Sequence, residues 1–214
     1  MTSANKPLAP IGTIGKPALY AAYIGPFQSA AGWLIAGSMW PGYDPVRQTI
    51  SDLAANESPV QLIMSAFFVL GGVLTLIAAI YGRTLAMPGR VALFVAAICT
   101  FGLTIFPTPL IGYSIEHRVF AIASFVLSAG WPLLAMRKRA DAPWIIRPTA
   151  SMIGTALQTV LALWFLSSWT DPTNMTVGVW ERVVAVSQAA YVSVVLVVCY
   201  FSQSTKRQNL PHRS

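Results

Sequence analysis

The 214-residue chain is 55% hydrophobic and only 10% charged, and its mean hydropathy is +0.61. A soluble domain of this length needs more charged residues to cover its surface, so the composition excludes an ordinary soluble protein and predicts an integral membrane protein. The net charge of +7 does not indicate a nucleic-acid-binding protein, because the short loops offer no clustered basic groove. The two cysteines, Cys99 and Cys199, lie in apolar runs and predict neither a disulfide framework nor a metal site.

Six apolar runs have the length of about 20 residues that a helix needs to cross a hydrocarbon core of roughly 30 Å. The first run is too long for the apolar region of a signal peptide, so we expect it to be a retained helix. The fold class is therefore an all-α polytopic membrane protein with one helical-bundle domain over residues 1–214. The predicted spans are 18–40, 61–82, 91–110, 119–136, 149–168 and 183–202.

The distribution of basic residues predicts the topology. Six spans place both termini on one side, and that side then holds every Lys and Arg except Arg47, Arg118 and Arg182. By the positive-inside rule both termini are expected to be cytoplasmic, in a multi-pass protein of the plasma (inner) membrane. The opposite, outer face holds most of the acidic residues: Asp44, Asp52, Glu57, Glu116, Asp171 and Glu181.

The interior of the trimmed spans contains no Asp, Glu, Lys, Arg or His. Such residues mark proton relays and ion paths, so a proton-coupled pump is not expected. Retinal would need an intramembrane Lys and a bis-histidine haem would need two histidines, so we expect no cofactor. A facilitator of a neutral solute stays open as a third function.

The segment "WPGYDPVRQTISDL" (residues 40–53) concentrates polar residues after the first span. Asp44-Pro45 is typical of a helix N-cap followed by proline at the first helical position, which predicts a short helix over about 45–54. Its apolar edge would lie on the outer membrane surface. Asp44, Arg47 and Ser51 would share a face, whereas Asp52 lies about 100° from Ser51, which disfavours a Ser51-Asp52 catalytic dyad.

Two further outer helix starts pair an acidic residue with arginine, at Glu116-His117-Arg118 and at Glu181-Arg182. Glutamate complements the positive end of the helix dipole, but arginine does not, so the arginines need anionic partners. One interpretation is a set of ion pairs that fasten the outer helix ends, with Asp52, Glu116 and Glu181 as partner carboxylates. The other is a site for an anionic lipid or lipid-linked substrate.

The second interpretation assigns candidate roles to the outer residues. The candidates for binding an anion or lipid head group are Arg47, Arg118, Arg182 and Tyr43. The candidates for proton exchange or catalysis are His117, Ser51 and Asp44, the sharpest version being Ser51 as nucleophile with His117 as base. A zinc hydrolase that uses three histidines is not expected, since His117 is the only outer histidine.

The motif Gly42-Tyr-Asp-Pro-Val-Arg-Gln-Thr-Ile-Ser-Asp-Leu53, with the later Trp180-Glu181-Arg182, resembles a prokaryotic six-helix membrane family called domain of unknown function 998. The resemblance covers nearly the whole chain, although Ala54 stands where the family often has glycine. The family is distantly similar to membrane proteins of the FRAG and DRAM type. The resemblance implies the fold and the topology, and it supplies no catalytic residues.

The function expected first is that of a structural or accessory subunit, with other membrane-protein subunits as partners. The alternative is a lipid-handling protein that binds or modifies an anionic lipid at the outer leaflet. Membrane lipid is an expected partner in both cases, and nucleic acid is not.

Overall fold

The computed structural model describes residues 9–171 and 173–208 of the chain. These ranges contain seven α-helices and no β-strand, which confirms the all-α class. A single 3-10 turn, Trp144–Ile146, precedes the sixth helix. The helices are α1 Lys16–Ser38, α2 Ile50–Leu53, α3 Gln61–Tyr81, α4 Met87–Ile105, α5 Ile115–Leu134, α6 Pro148–Thr170 and α7 Val177–Gln208.

The six long helices form a closed ring. Each packs on the next long helix in the chain, and α7 packs back against α1. The ring surrounds a cavity of about 190 Å³, lined by residues of α1, α3, α4, α5 and α7 and by Ile50. Its polar lining consists of neutral side chains, among them Gln28, Thr100, Ser124 and Gln188.

Five of the helices described here are long and apolar enough to cross a membrane: α3, α4, α5, α6 and residues Val177–Thr205 of α7. The chain is therefore a multi-pass membrane protein. Helix α1 has 23 residues but is not one of the five, and polar or weakly apolar residues such as Tyr23, Pro26 and Gln28 lower its hydropathy. A sixth span stays a prediction.

The two ends of the ring differ in charge. At one end, which we call the acidic end, α1, α4 and α6 finish and α3, α5 and α7 begin, and α2 lies there too. The opposite, basic end carries the loops between α3 and α4 and between α5 and α6. Its arginines bind backbone carbonyls, as when Arg137 donates to the Thr84 and Leu85 oxygens at 2.9 and 3.0 Å. These arginines therefore fasten neighbouring loops to each other, in addition to being the residues from which the topology was predicted.

The helices begin or end away from the predicted limits wherever the helix does not begin or end with the apolar run. Helix α4 ends at Ile105, not at 110, because Phe106 precedes a proline and leaves the helical region. Helix α5 begins at Ile115, where the Ser114 hydroxyl accepts a hydrogen bond from the His117 amide. Helix α7 begins at Val177, so Glu181 lies in its second turn and not before it.

The predicted helix over 45–54 is wrong in its extent. Residues 45–48 form a turn, and the helix α2 spans only Ile50–Leu53. Its N-cap is Thr49 and not Asp44: the Thr49 hydroxyl accepts from the Asp52 amide, and the Asp52 carboxylate accepts from the Thr49 amide. The apolar residues Ile50 and Leu53 are buried against the helix ring, 4% and 0% exposed, so this edge contacts protein and not lipid.

Candidate functional site at the acidic end

Five polar residues from four parts of the chain meet at the acidic end, and we call them the Ser51 cluster: Tyr43, Ser51, His117, Glu181 and Arg182. His117, Glu181 and Arg182 are buried, at 2%, 4% and 7% exposure. Burying three ionisable side chains is costly unless each is hydrogen-bonded. The partners of each side chain therefore define what the cluster does.

Arg182 binds the protein's own oxygens. Its Nη1 donates to the backbone oxygens of Gly178, Pro45 and Gln48 at 2.6, 2.8 and 3.0 Å, and its Nη2 donates to the Tyr43 hydroxyl. The guanidinium also lies over the Trp33 ring, 5.1 Å from its centroid. Arg182 thereby holds the turn at 45–48 against the start of α7, inside the protein and away from the head-group surface where it was expected.

Tyr43 adds further hydrogen bonds to those by which Arg182 holds the turn at 45–48. Its hydroxyl donates to the Thr49 oxygen at 2.7 Å while it accepts from Arg182. Burial raises the pKa of the Tyr43 phenol, and this effect exceeds the lowering by the neighbouring Arg182 guanidinium. The phenol therefore stays protonated and donates within the protein, and its role as a head-group ligand stays a prediction.

Glu181 holds α2 from the other side. One carboxylate oxygen accepts from the Ile50 amide, and the other accepts from the Ser51 hydroxyl at 3.0 Å. No ion pair joins Asp52, Glu116 or Glu181 to an arginine among the described residues. Asp52 and Glu181 bind backbone amides. Burial raises the pKa of Asp52, and the Arg182 charge lowers it without a direct ion pair. Their role as partner carboxylates of the arginines stays a prediction.

Ser51 and His117 meet across 66 positions of sequence. The His117 Nε2 lies 3.3 Å from the Ser51 Oγ, and its Nδ1 lies 2.9 Å from the backbone oxygen of Phe106. A carbonyl oxygen only accepts, so Nδ1 carries a proton. In the neutral imidazole Nε2 is then the acceptor that faces the serine hydroxyl.

The hydroxyl of Ser51 has one proton and two basic neighbours. It can donate either to Glu181 or to His117, so both contacts are hydrogen bonds only if one neighbour is itself protonated. Either Glu181 is a neutral acid and His117 is neutral, or Glu181 is a carboxylate and His117 is an imidazolium. The trio is neutral overall in both states, which explains how the bundle buries it.

Asp52 turns away from Ser51 to cap α2, and burial raises its pKa despite the hydrogen bonds with Thr49. A folded-state pKa above the unfolded value stabilises the protein below the unfolded pKa, and that stabilisation is lost as the pH rises through the folded pKa. Asp52→Asn stays neutral and keeps an oxygen for the Thr49 amide. Its melting temperature, relative to wild type, is expected to be higher at about pH 8 than at about pH 4. A difference that does not change with pH, or that changes in the opposite sense, would contradict this expectation.

The remaining candidates lie apart from the Ser51 cluster. Arg47 pairs with Asp44 at 3.6 Å, and both side chains are exposed, so the pair contributes little. Glu116 is exposed and accepts from the Ser114 hydroxyl at 2.9 Å. The structure therefore does not bring Asp44, Arg47 or Glu116 to Ser51.

Arg118 occupies a second, separate position at the acidic end. The side chain is exposed and forms no ion pair with any carboxylate that the structure describes. Its guanidinium carbon lies 4.3 Å from the centroid of the Tyr113 ring and 5.3 Å from that of Trp169. The two rings hold the guanidinium in place by cation–π contacts, which leaves its N–H groups free for an anion.

An apolar groove of about 230 Å³ begins beside Arg118. It runs between α5 and α6, with Ile122, Phe125 and Val126 on one wall and Leu163 and Trp169 on the other. No group of three His, Cys, Asp or Glu side chains suited to a metal ion occurs in the described part of the chain. The acidic end thus offers a buried Ser-His-Glu cluster and, separately, a cation above an apolar groove.

A family profile described as "Protein of unknown function (DUF998)" matches residues 23–198. The chain belongs to the DUF998 family. The resemblance noted in the sequence is confirmed, and the matched range includes the whole Ser51 cluster and the α5–α6 groove. The comparisons with curated proteins and with solved structures gave no match.

Several residues of this DUF998 site were not found from sequence. The Phe106 carbonyl orients His117, and Trp169 joins Arg118 to the groove. The position of a backbone carbonyl cannot be predicted from sequence. Trp169 has the pattern of an ordinary aromatic residue at the membrane interface. The Thr49-x-x-Asp52 capping box did carry a signal, since a hydroxyl residue three positions before an acid favours a helix start.

Proposed function

We propose that this DUF998 protein spans the membrane six times and binds an anionic phospholipid at the acidic end, on the outer side. Helix α1 supports the sixth span, because its 23 residues reach about 34 Å and it closes the ring between α3 and α7. The start of α1 and the end of α7 then lie at the basic end, on the cytoplasmic side of the plasma membrane. A role as an accessory subunit stays a prediction.

One observation carries the lipid proposal: the Trp169 ring is shared by Arg118 and the groove. Arg118 stacks on this ring, and the same side chain lines the end of the α5–α6 groove. A molecule that fits must be anionic at one end and apolar along the rest. A phospholipid combines a phosphate for the guanidinium with an acyl chain for the groove.

The groove has a suitable length and position for an acyl chain. Its α5 wall runs from Ile122 to Gly130, which spans about 12 Å along the helix. Arg118 is four residues before Ile122, so it lies one turn above the groove on the same face of α5. A head group at Arg118 would therefore place one chain directly into the groove.

The test is lipid-dependent stability in detergent. Phosphatidylglycerol is expected to raise the melting temperature of wild type more than phosphatidylcholine does, because a ligand at 100 times its Kd contributes about 2.7 kcal/mol. Arg118→Ala should lose this difference. Arg47→Ala is the matched control, as an exposed arginine at the same end that lies on no groove, and it should keep the difference. Equal loss in both variants would show only general charge attraction and would refute the site.

A further inference from the structure

The Ser51 hydroxyl stands between the carboxyl group of Glu181 and the imidazole of His117, which are anchored by different helices. The state in which both side chains are neutral leaves His117 Nε2 able to accept the serine proton. Glu181 Oε1 lies 3.0 Å away on α7, and His117 Nε2 lies 3.3 Å away on α5. Helix α2 is itself fixed by the bond from the Ile50 amide to Glu181 and by buried Leu53. The three side chains are therefore held in contact by rigid elements.

The imidazole is oriented to accept a proton. Its Nδ1 donates to the Phe106 oxygen, which fixes the ring and leaves the Nε2 lone pair facing Ser51 when the ring is neutral. A nucleophile, a base within hydrogen-bond reach and a third group that orients the base form the arrangement used in nucleophilic catalysis. Here the third group is a backbone carbonyl.

Exposure separates the hydroxyl from its neighbours. His117 and Glu181 are almost fully buried, at 2% and 4%, whereas Ser51 is only partly buried. A nucleophile must not be fully buried, because the substrate has to reach its oxygen.

We propose that Ser51 is a nucleophile that cleaves a carboxylic ester of a membrane lipid, with His117 as general base. The ester class follows from position, because Ser51 lies level with the first turn of α5 and the second turn of α7. A bilayer with a hydrocarbon core of roughly 30 Å would place the ester groups of its lipids near such helix ends. This proposal does not depend on the lipid site at Arg118, which lies outside the cluster.

In the first step, Ser51 Oγ attacks the ester carbonyl carbon and its proton passes to His117 Nε2. The carbon–oxygen bond to the alcohol then breaks, and the leaving alkoxide takes the proton from His117. In the second step, water attacks the acyl-Ser51 ester, gives a proton to His117, and releases the acid as Ser51 Oγ regains that proton. The sum is ester plus water to acid plus alcohol.

The test uses a fluorophosphonate probe on the purified full chain. Ser51 Oγ is expected to displace fluoride from phosphorus, with the serine proton accepted by His117, and the adduct should map to the peptide that contains Ser51. Mapping on wild type makes the result independent of how any variant folds. A folded wild type that forms no adduct, or that forms one at another serine, overturns the proposal.

The variants separate catalysis from folding. Ser51→Ala should abolish labelling, and His117→Asn should slow it by about 10²-fold or more, since its amide can still donate to Phe106 but cannot act as the base. Ser167→Ala removes an exposed serine of α6 at the same end and should label as wild type does. Unchanged labelling of His117→Asn would overturn the assigned base. A wild type that labels at Ser51 but shows no preference for phosphatidylglycerol over phosphatidylcholine would refute only the Arg118 site.

Discussion

Arg182→Ala is expected to lower the free energy of unfolding by about 3–5 kcal/mol, the largest effect of any single substitution at the acidic end. The variant leaves the Pro45 oxygen without its side-chain donor and removes one donor each from the Gln48 and Gly178 oxygens and from the Tyr43 hydroxyl. A buried acceptor that loses its partner pays its desolvation cost in full. The measurement is the melting temperature in detergent together with the denaturant midpoint.

Two further variants test whether the loss of stability in Arg182→Ala comes from the hydrogen bonds of the guanidinium. Arg182→Lys keeps the charge but not the planar fork, so it should recover only part of the loss. Arg47→Ala removes an exposed arginine from the same end and should change stability by about 0.5 kcal/mol or less. If Arg182→Ala were as stable as Arg47→Ala, residues 43–53 would not be clamped to α7.

Gly89→Ala is expected to destabilise the basic end by about 1–3 kcal/mol. A Cβ at Gly89 would lie 2.6 Å from the backbone nitrogen of Ala135, and backbone cannot rotate aside as a side chain can. The start of α4 would have to move away from the end of α5, breaking the bond from the Ala86 amide to the Ala135 oxygen. The melting temperature in detergent reports the loss.

Gly130→Ala is the matched control, since it makes the same change inside α5 where an added Cβ meets no atom within 4 Å. It should be neutral or stabilising by about 0.5–1 kcal/mol, because alanine favours the helix over glycine. Equal destabilisation of both variants would show that the close contact at Ala135 is not what requires Gly89.

Five of the long helices could be predicted because each is an apolar run of membrane-crossing length, and this signal is local. Their limits could not be predicted as well, since hydropathy marks where residues become polar and not where the helix ends. Glu181 shows the difference: it is polar, yet it lies inside α7. Helix α2 was misjudged because Asp44-Pro45 and the Thr49-Asp52 box compete as start signals, and tertiary contacts favour the second.

The composition of the site could be read from sequence, but its geometry could not. Ser51 and His117 were both candidates, yet their contact depends on how α2, α5 and α7 pack, which no local pattern encodes. The arginines show the same limit. Arg118 and Arg182 look alike in sequence, and one is exposed beside a groove while the other is buried among backbone oxygens.

Native mass spectrometry in the presence of phosphatidylglycerol tests the central claim most directly. Wild type and Arg47→Ala are expected to retain one bound phosphatidylglycerol after detergent removal. Arg118→Ala should lose the lipid, because the guanidinium that binds the phosphate is gone. Gly130→Leu should also lose it, because Gly130 lines the groove and its Cβ position meets no atom within 4 Å, so a leucine side chain would occupy the space of the acyl chain. If Arg118→Ala and Gly130→Leu retain the lipid as wild type does, the proposed site is contradicted.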